Sequence, residues 1–365
     1  MGRLVEIHIL QNFAPSNLNR DDTGAPKDAV FGGTRRARIS SQCIKRAARQ
    51  HFSATALLDA SELATRTRRI VAKLAEILEG MGRTGAERAI ICALDQLGFK
   101  VNDKKGGVSE YLLFLGNAEL ARLAKVIETN FAALDAGKAD KEVKASLRGC
   151  FGTSHAVDVA LFGRMLADDK SLNVDAASQV AHAFSTHRVD RDVDFFTAVD
   201  DFAGAGEAVS GMLGTVEFNS SCFYRYAVLH LDLLLRNLGG EEALAKKSVR
   251  AFVGALVESI PTGKQNSFAA HNPPSFVGVT TRRGMPLNLA NAFEKPVAVR
   301  EHEAGLTAAS VGRFQKAAAQ AAKAWGIAGE ITVLDLTGAW QGQPVASFAA
   351  LLDRLDADVG TLLAS

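Results

Sequence analysis

The chain has 365 residues, 47% of them apolar and 22% charged, with a formal net charge of +2. That is the composition of a folded globular protein with room for a large core and two or three subdomains. It excludes a disordered or collagen-like chain, and any polyanion site must come from local charge asymmetry rather than the total.

The start, MGRLVEIHIL, has no basic segment before an apolar one, so no secretory leader is expected. No apolar run reaches membrane-spanning length. Four scattered cysteines (Cys43, Cys92, Cys150, Cys222) form no C-x-x-C pair. Neither structural zinc nor a disulfide framework is expected, and a reducing cytoplasm is the simplest setting.

Residues 3–13, RLVEIHILQNF, read as a strand rich in β-branched types. A polar turn-forming stretch follows at 16–28, then a Phe31-Gly32-Gly33 turn and a short basic strand, RRARIS, at 35–40. Ser40 or Ser41 suits the N-cap of a helix reaching about Phe52. From 61 to 148 the pattern is mostly helical, with helices at Ala89–Leu97 and Leu112–Leu134. Strand texture returns at 155–162 and, strongly, at 221–231. Between these lies a long polar excursion. Helices are expected at 232–238 and 241–260, then a Pro/Asn/Gly-rich loop over 261–296. The remainder, from about 307, is helical and Ala-rich with one short strand, EITVLDL. Mixed strands and helices with a helical insertion give an α+β fold class.

Signatures of catalysis do not assemble. Gly204-Ala205-Gly206 lacks the third glycine of a dinucleotide loop, and Gly263-Lys264-Gln265 lacks the rest of a P-loop. His182 and His187 are five apart, off the zinc-binding helix spacing. Asp190, Asp192 and Asp194 alternate; they suit a solvated or inter-subunit face more than a divalent cation. No metal or cofactor is expected, and no enzymatic activity.

The basic stretch is different. Residues 20–50 carry eight Lys/Arg against Asp21, Asp22 and Asp28, a local net of +5, and no acid stands between Asp28 and Asp59. On a helix, Gln42, Lys45, Arg46 and Arg49 share one face, while Ile44, Ala47 and Ala48 face inward. The helix N-terminus adds N–H donors and the Ser40 and Ser41 hydroxyls. Without acidic partners such a face suits a phosphate backbone better than plain solvation. No aromatic side chains are interleaved, so sequence-neutral backbone tracking is the expectation.

PSNLNRDDTGAPKDAVFGGTRRARISSQCIKRAARQ (15–50) resembles the N-terminal signature of the backbone subunit of the type I-E CRISPR surveillance complex, Cascade. The resemblance continues in order through DVALFGRM (158–165), AHAFSTHRVDRDVDFFTAVDD (181–201), LGTVEFNSSCFYRYA (213–227), NLGG (237–240) and PLNLANAFEKPV (286–297). It implies an RNA-recognition-motif-like palm at 1–60 and 150–300, with a thumb hairpin at 185–220. It also implies a helical finger at 61–149 and a C-terminal extension at 301–365. Copies of the family stack along a guide RNA (crRNA), beside other Cascade subunits, and leave its bases free to pair with target DNA. The resemblance places RNA contacts at Arg20, Lys27, Ser40, Gln42, Lys45, Arg46, Arg49, Met165 and Lys264. Phe196 and Thr197 match thumb residues that wedge at a displaced nucleotide. Lys138, Lys141 and Lys144 correspond to a patch that touches target DNA. The competing reading is an RNA-processing endonuclease on a related fold, which needs a His, Tyr or Lys at the scissile phosphate.

Overall fold

The computed structural model describes residues 2–55, 57–102, 107–152, 155–166, 169–199, 210–298, 305–327 and 329–364. The chain forms two compact units: Met1–His51 with Val180–Val228 and Phe252–Ser365, and Phe52–Gln179 with Leu229–Ala251. The boundaries expected from the sequence fall instead after residues 60, 149 and 300.

The first unit is built on one sheet. Eight of its nine strands are β1 (Arg3–Ser16), β2 (Asp28–Phe31), β3 (Thr34–Ile39), β4 (Ala183–Ser185), β5 (Asp192–Val199), β6 (Ser210–His230), β7 (Phe276–Arg283) and β8 (Thr332–Asp335). They lie in the order β8-β7-β1-β6-β4-β3-β2, with β5 paired to β6. β1 runs antiparallel to β7, Ile7 opposite Val279.

Every residue of β1 from Leu4 to Leu10 is buried. The strand is therefore covered on both faces, which a half-alternating pattern does not announce. One face joins Leu4 and Leu10 to Tyr224, Phe276, Phe293 and the Val311 and Phe314 side chains of α2 (Gly305–Trp325). On the other, Ile7 and Ile9 meet Leu256 and Ile44 of α1 (Ser41–Ala54). The polar residues of β1 are satisfied inside. Glu6 accepts from Arg282 Nε and from the Tyr226 hydroxyl, each at 2.7 Å. His8 Nδ1 lies 2.9 Å from the Tyr224 hydroxyl, and burial followed by the Arg282 charge holds the imidazole neutral, at about 3.

The second unit is mostly helical. Helices Ile70–Gly80, Glu87–Gln96, Asn117–Thr129 and Lys141–Gly149 pack around Leu74, Leu78, Ile90, Leu94, Leu123 and Leu147. The unit also holds two short strand pairs, Ala64–Thr67 with Leu113–Gly116 and Val101–Asn102 with Val108–Ser109.

Three expected elements are corrected. HAVDVALF is not a strand: Val157–Phe162 is a helix, with Val157–Leu161 all buried. A short buried apolar run has no polar face to reveal its period. The expected helix over 112–134 begins instead as strand Leu113–Gly116, and Gly116 is the N-cap of the helix that follows. The expected loop at 261–296 contains β7, FVGVTTRR, which pairs with β1 and β8. Flanking Pro273, Pro274 and Gly284 mask its β-branched run in composition alone. Residues 200–209 of the expected thumb hairpin lie outside the described residues.

Candidate nucleic-acid interface

α1 starts where its sequence says it should. The Ser40 carbonyl accepts the Ile44 N–H at 3.1 Å and its Oγ accepts the Cys43 N–H at 3.3 Å, so Ser40 is the N-cap. The Ser40 N–H donates to Asn19 Oδ1 at 2.8 Å, which ties the cap to the preceding polar loop. Ile44, Ala47 and Ala48 are buried, Gln42 and Arg46 exposed, and Lys45 and Arg49 half-buried. Ser40 itself is buried.

Beside this helix is a cleft of about 330 Å³, walled by Leu18–Asp21, by Cys43, Arg46, Ala47 and Gln50 of α1, and by Pro261–Gly263. The third wall approaches closely because Gly263 has no side chain: a Cβ there would stand 2.4 Å from the Leu18 carbonyl oxygen. Lys264 follows in the left-handed region at φ 50°, a conformation that costs a non-glycine residue about 1 kcal/mol or more. Burial raises the Cys43 thiol above its ordinary value, against the lowering charges of Arg46 and Lys27, so it stays protonated near neutrality. The Asp21 carboxylate is committed to its own turn. It accepts the Thr23 hydroxyl at 2.7 Å and the Thr23 and Ala25 amides, and the Thr23 hydroxyl foremost holds its pKa down.

The basic residues separate into two groups. Arg36 is fully buried and donates to the carbonyls of Ser185, Phe293 and Glu294 at 2.9–3.0 Å. Arg35 pairs with Asp28, which also takes Arg191 at 2.6 Å, and Arg191 reaches Glu217 at 2.9 Å. Those side chains hold the sheet edge and the base of the β5–β6 ribbon together. In contrast, among the described residues Arg20, Lys27, Lys45 and Arg46 enter no ion pair. Self-repelling cations without acids leave a site for an anion.

One member was not singled out from the sequence. β4 pairs with β3, Ile39 opposite Ala183, and this brings the neighbouring His182 to the start of α1. There the Ser41 N–H donates to His182 Nδ1 at 2.9 Å. Burial, then Arg38, Lys27 and Lys45, lower the imidazole pKa. No spacing rule could have found it, because strand pairing alone makes the contact.

The remaining expected residues sit elsewhere. Phe196 and Thr197 lie on β5, opposite Gly214 and Leu213 of β6. The Phe196 ring covers Gly214, where a Cβ would stand 2.4 Å from it, and is 40% exposed. Phe195 beside it is 63% exposed, so the ribbon carries bare aromatic surface on both faces. Met165 belongs to the second unit and is 87% exposed, which rules out a core gap-filler. Its neighbours explain the display. Gly163 (φ 79°) packs against the Val174 carbonyl, and Arg164 is buried against Glu119. Lys138, Lys141 and Lys144 are exposed in the same unit, around the start of helix Lys141–Gly149.

Among the described residues no cluster of three or more His, Cys, Asp or Glu side chains could hold a metal ion. None of the helices there is long and apolar enough to cross a membrane.

No curated protein matches the chain. Among solved structures it is similar to a chain described as "CRISPR RNA-guided surveillance complex, pre-nicking", at 31% identity and TM-score 0.84, covering 98% of this chain and 100% of that one. A second, described as "CRISPR RNA-guided surveillance complex", is 27% identical with TM-score 0.63, covering 97% of this chain and 98% of the other. The family model for the CT1975-like protein matches residues 5–355, and the chain belongs to that family.

Proposed function

We propose that the chain is the guide-RNA-binding backbone subunit of a type I-E CRISPR surveillance complex. On this reading the sheet unit is an RNA-recognition-motif-like palm and the helical unit a finger. The β5–β6 ribbon is the thumb. The palm grips crRNA phosphates, copies of the chain stack along the RNA beside other subunits in the cytoplasm, and exposed bases pair with target DNA. The subunit is non-catalytic. The observation that carries the reading is the set of cations without acidic partners, Arg20, Lys27, Lys45 and Arg46, around the capped start of α1 and its cleft. A phosphate-only grip leaves base edges free, so one protein serves any guide sequence. The described relatives support the setting.

Lys45→Ala combined with Arg46→Ala is expected to weaken binding of two unrelated single-stranded RNAs equally. At about 1 kcal/mol per contact the loss is roughly thirtyfold. The slope of log affinity against log salt should fall by about 1.4, at 0.7 per phosphate on a single strand. A loss confined to one RNA sequence would contradict backbone recognition. Native mass spectrometry of the chain co-expressed with a repeat–spacer transcript should show several copies on one RNA of uniform length. Incubation with repeat RNA separates the endonuclease reading: the proposed subunit leaves that RNA intact, and site-specific cleavage lost on a single His substitution would overturn the proposal.

A further inference from the structure

His182 meets the start of α1 through a contact that fixes its tautomer. The Ser41 backbone amide can only donate, so Nδ1 must accept, and a neutral ring then carries its proton on Nε2. Three cations converge on the ring from three segments: Arg38 of β3, Lys27 directly before β2, and Lys45 in the first turns of α1. Partial burial, and then their charges, disfavour the imidazolium, so the neutral form persists near neutrality. The ring is nevertheless exposed, and among the described residues its Nε2–H has no hydrogen-bond partner.

We infer that His182 is a further RNA-contact residue, donating its Nε2–H to a phosphate oxygen of the strand held by Lys27 and Lys45. The inference rests on the RNA-binding reading above. A fourth cation at this point would add repulsion to the folded, RNA-free protein. A neutral donor adds a hydrogen bond without adding charge. Because Ser41 already orients the ring, little side-chain freedom is lost on binding.

The test uses the full chain, two unrelated labelled single-stranded RNAs, and thermal melting beside each titration. His182→Asn keeps an acceptor near the Nδ1 position but lacks the distal donor; His182→Gln reaches that position with an amide N–H. The Asn variant is expected to bind both RNAs about fivefold more weakly, with an unchanged melting temperature. Its salt slope should also be unchanged, because a neutral donor displaces no counterion. The Gln variant should recover most of the affinity. Wild-type affinity in a stably folded Asn variant overturns the inference. So does a loss accompanied by a slope reduced by about 0.7, the signature of a charged imidazolium. If the Asn variant melts early, the Gln variant decides: a fivefold loss at wild-type stability overturns the inference. A wild-type chain that binds neither RNA overturns the RNA-binding reading itself, a failure distinct from these.

Discussion

Arg164→Ala is expected to destabilise the helical unit by about 3–5 kcal/mol, read as a lower denaturation midpoint. Arg164 and Glu119 are both almost fully buried, with Nη1 2.8 Å from Oε2. Arg164 Nε also donates to the Leu172 carbonyl at 2.9 Å. Truncation leaves the Glu119 carboxylate buried with, among the described residues, only the Gly116 N–H at 2.7 Å and His155 at 3.4 Å. The double variant Glu119→Gln/Arg164→Met should be less unstable than Arg164→Ala, because it removes both charges rather than stranding one. A single variant and a double variant of equal stability would show that the pair is not coupled. Burial pushes the Glu119 pKa up, but the His155 hydrogen bond, the Arg164 charge and the Gly116 amide outweigh it, and the net shift is downward. A depressed folded pKa contributes stability above the ordinary value of 4.5 that is lost as pH falls through the folded one. The wild type should therefore weaken on acidification below pH 4.5, and Glu119→Gln should flatten that limb. An unchanged limb in the Gln variant would assign the acid sensitivity to other carboxylates.

Arg36→Ala is expected to cost about 3 kcal/mol of stability, because the buried carbonyls of Ser185 and Phe293 and the part-buried one of Glu294 lose their donor together. Burial, and then the Arg313 charge, lower the Arg36 pKa, so its place in the fold depends on those carbonyls. It links β3 to Ser185 of β4 and to the Phe293–Glu294 segment. RNA affinity and salt slope, measured below the melting transition, should match the wild type. A reduced slope with unchanged melting would instead place Arg36 on the RNA. This outcome contrasts with Lys45→Ala/Arg46→Ala, although all three residues come from one basic stretch.

The basic stretch was legible as a helix face, and the burial of Ile44, Ala47 and Ala48 agrees with the 3.6-residue period. The N-cap was legible because capping is local chemistry between Ser40 and residues three and four positions on. β7 was not, since its flanks are loop-like and its place between β1 and β8 depends on partners far away in the chain. Val157–Phe162 was misread for the opposite reason: a segment buried all round shows no period. The exposure of Met165 and Phe195 also ran against their residue types.

By itself the sequence determined the α+β class, the amphipathic basic helix and its cap, and a resemblance spanning most of the chain. Each depends on short-range periodicity or on residue identity in order. Only the tertiary structure decided which cations are structural and which are not. Arg36 and Arg46 are alike in type and ten positions apart, yet one is sealed among carbonyls and the other lines an open cleft. The same holds for His182, which reaches Ser41 only because β4 pairs with β3. A side chain's electrostatic role is set by what long-range strand pairing places beside it, and no local pattern in the chain encodes that.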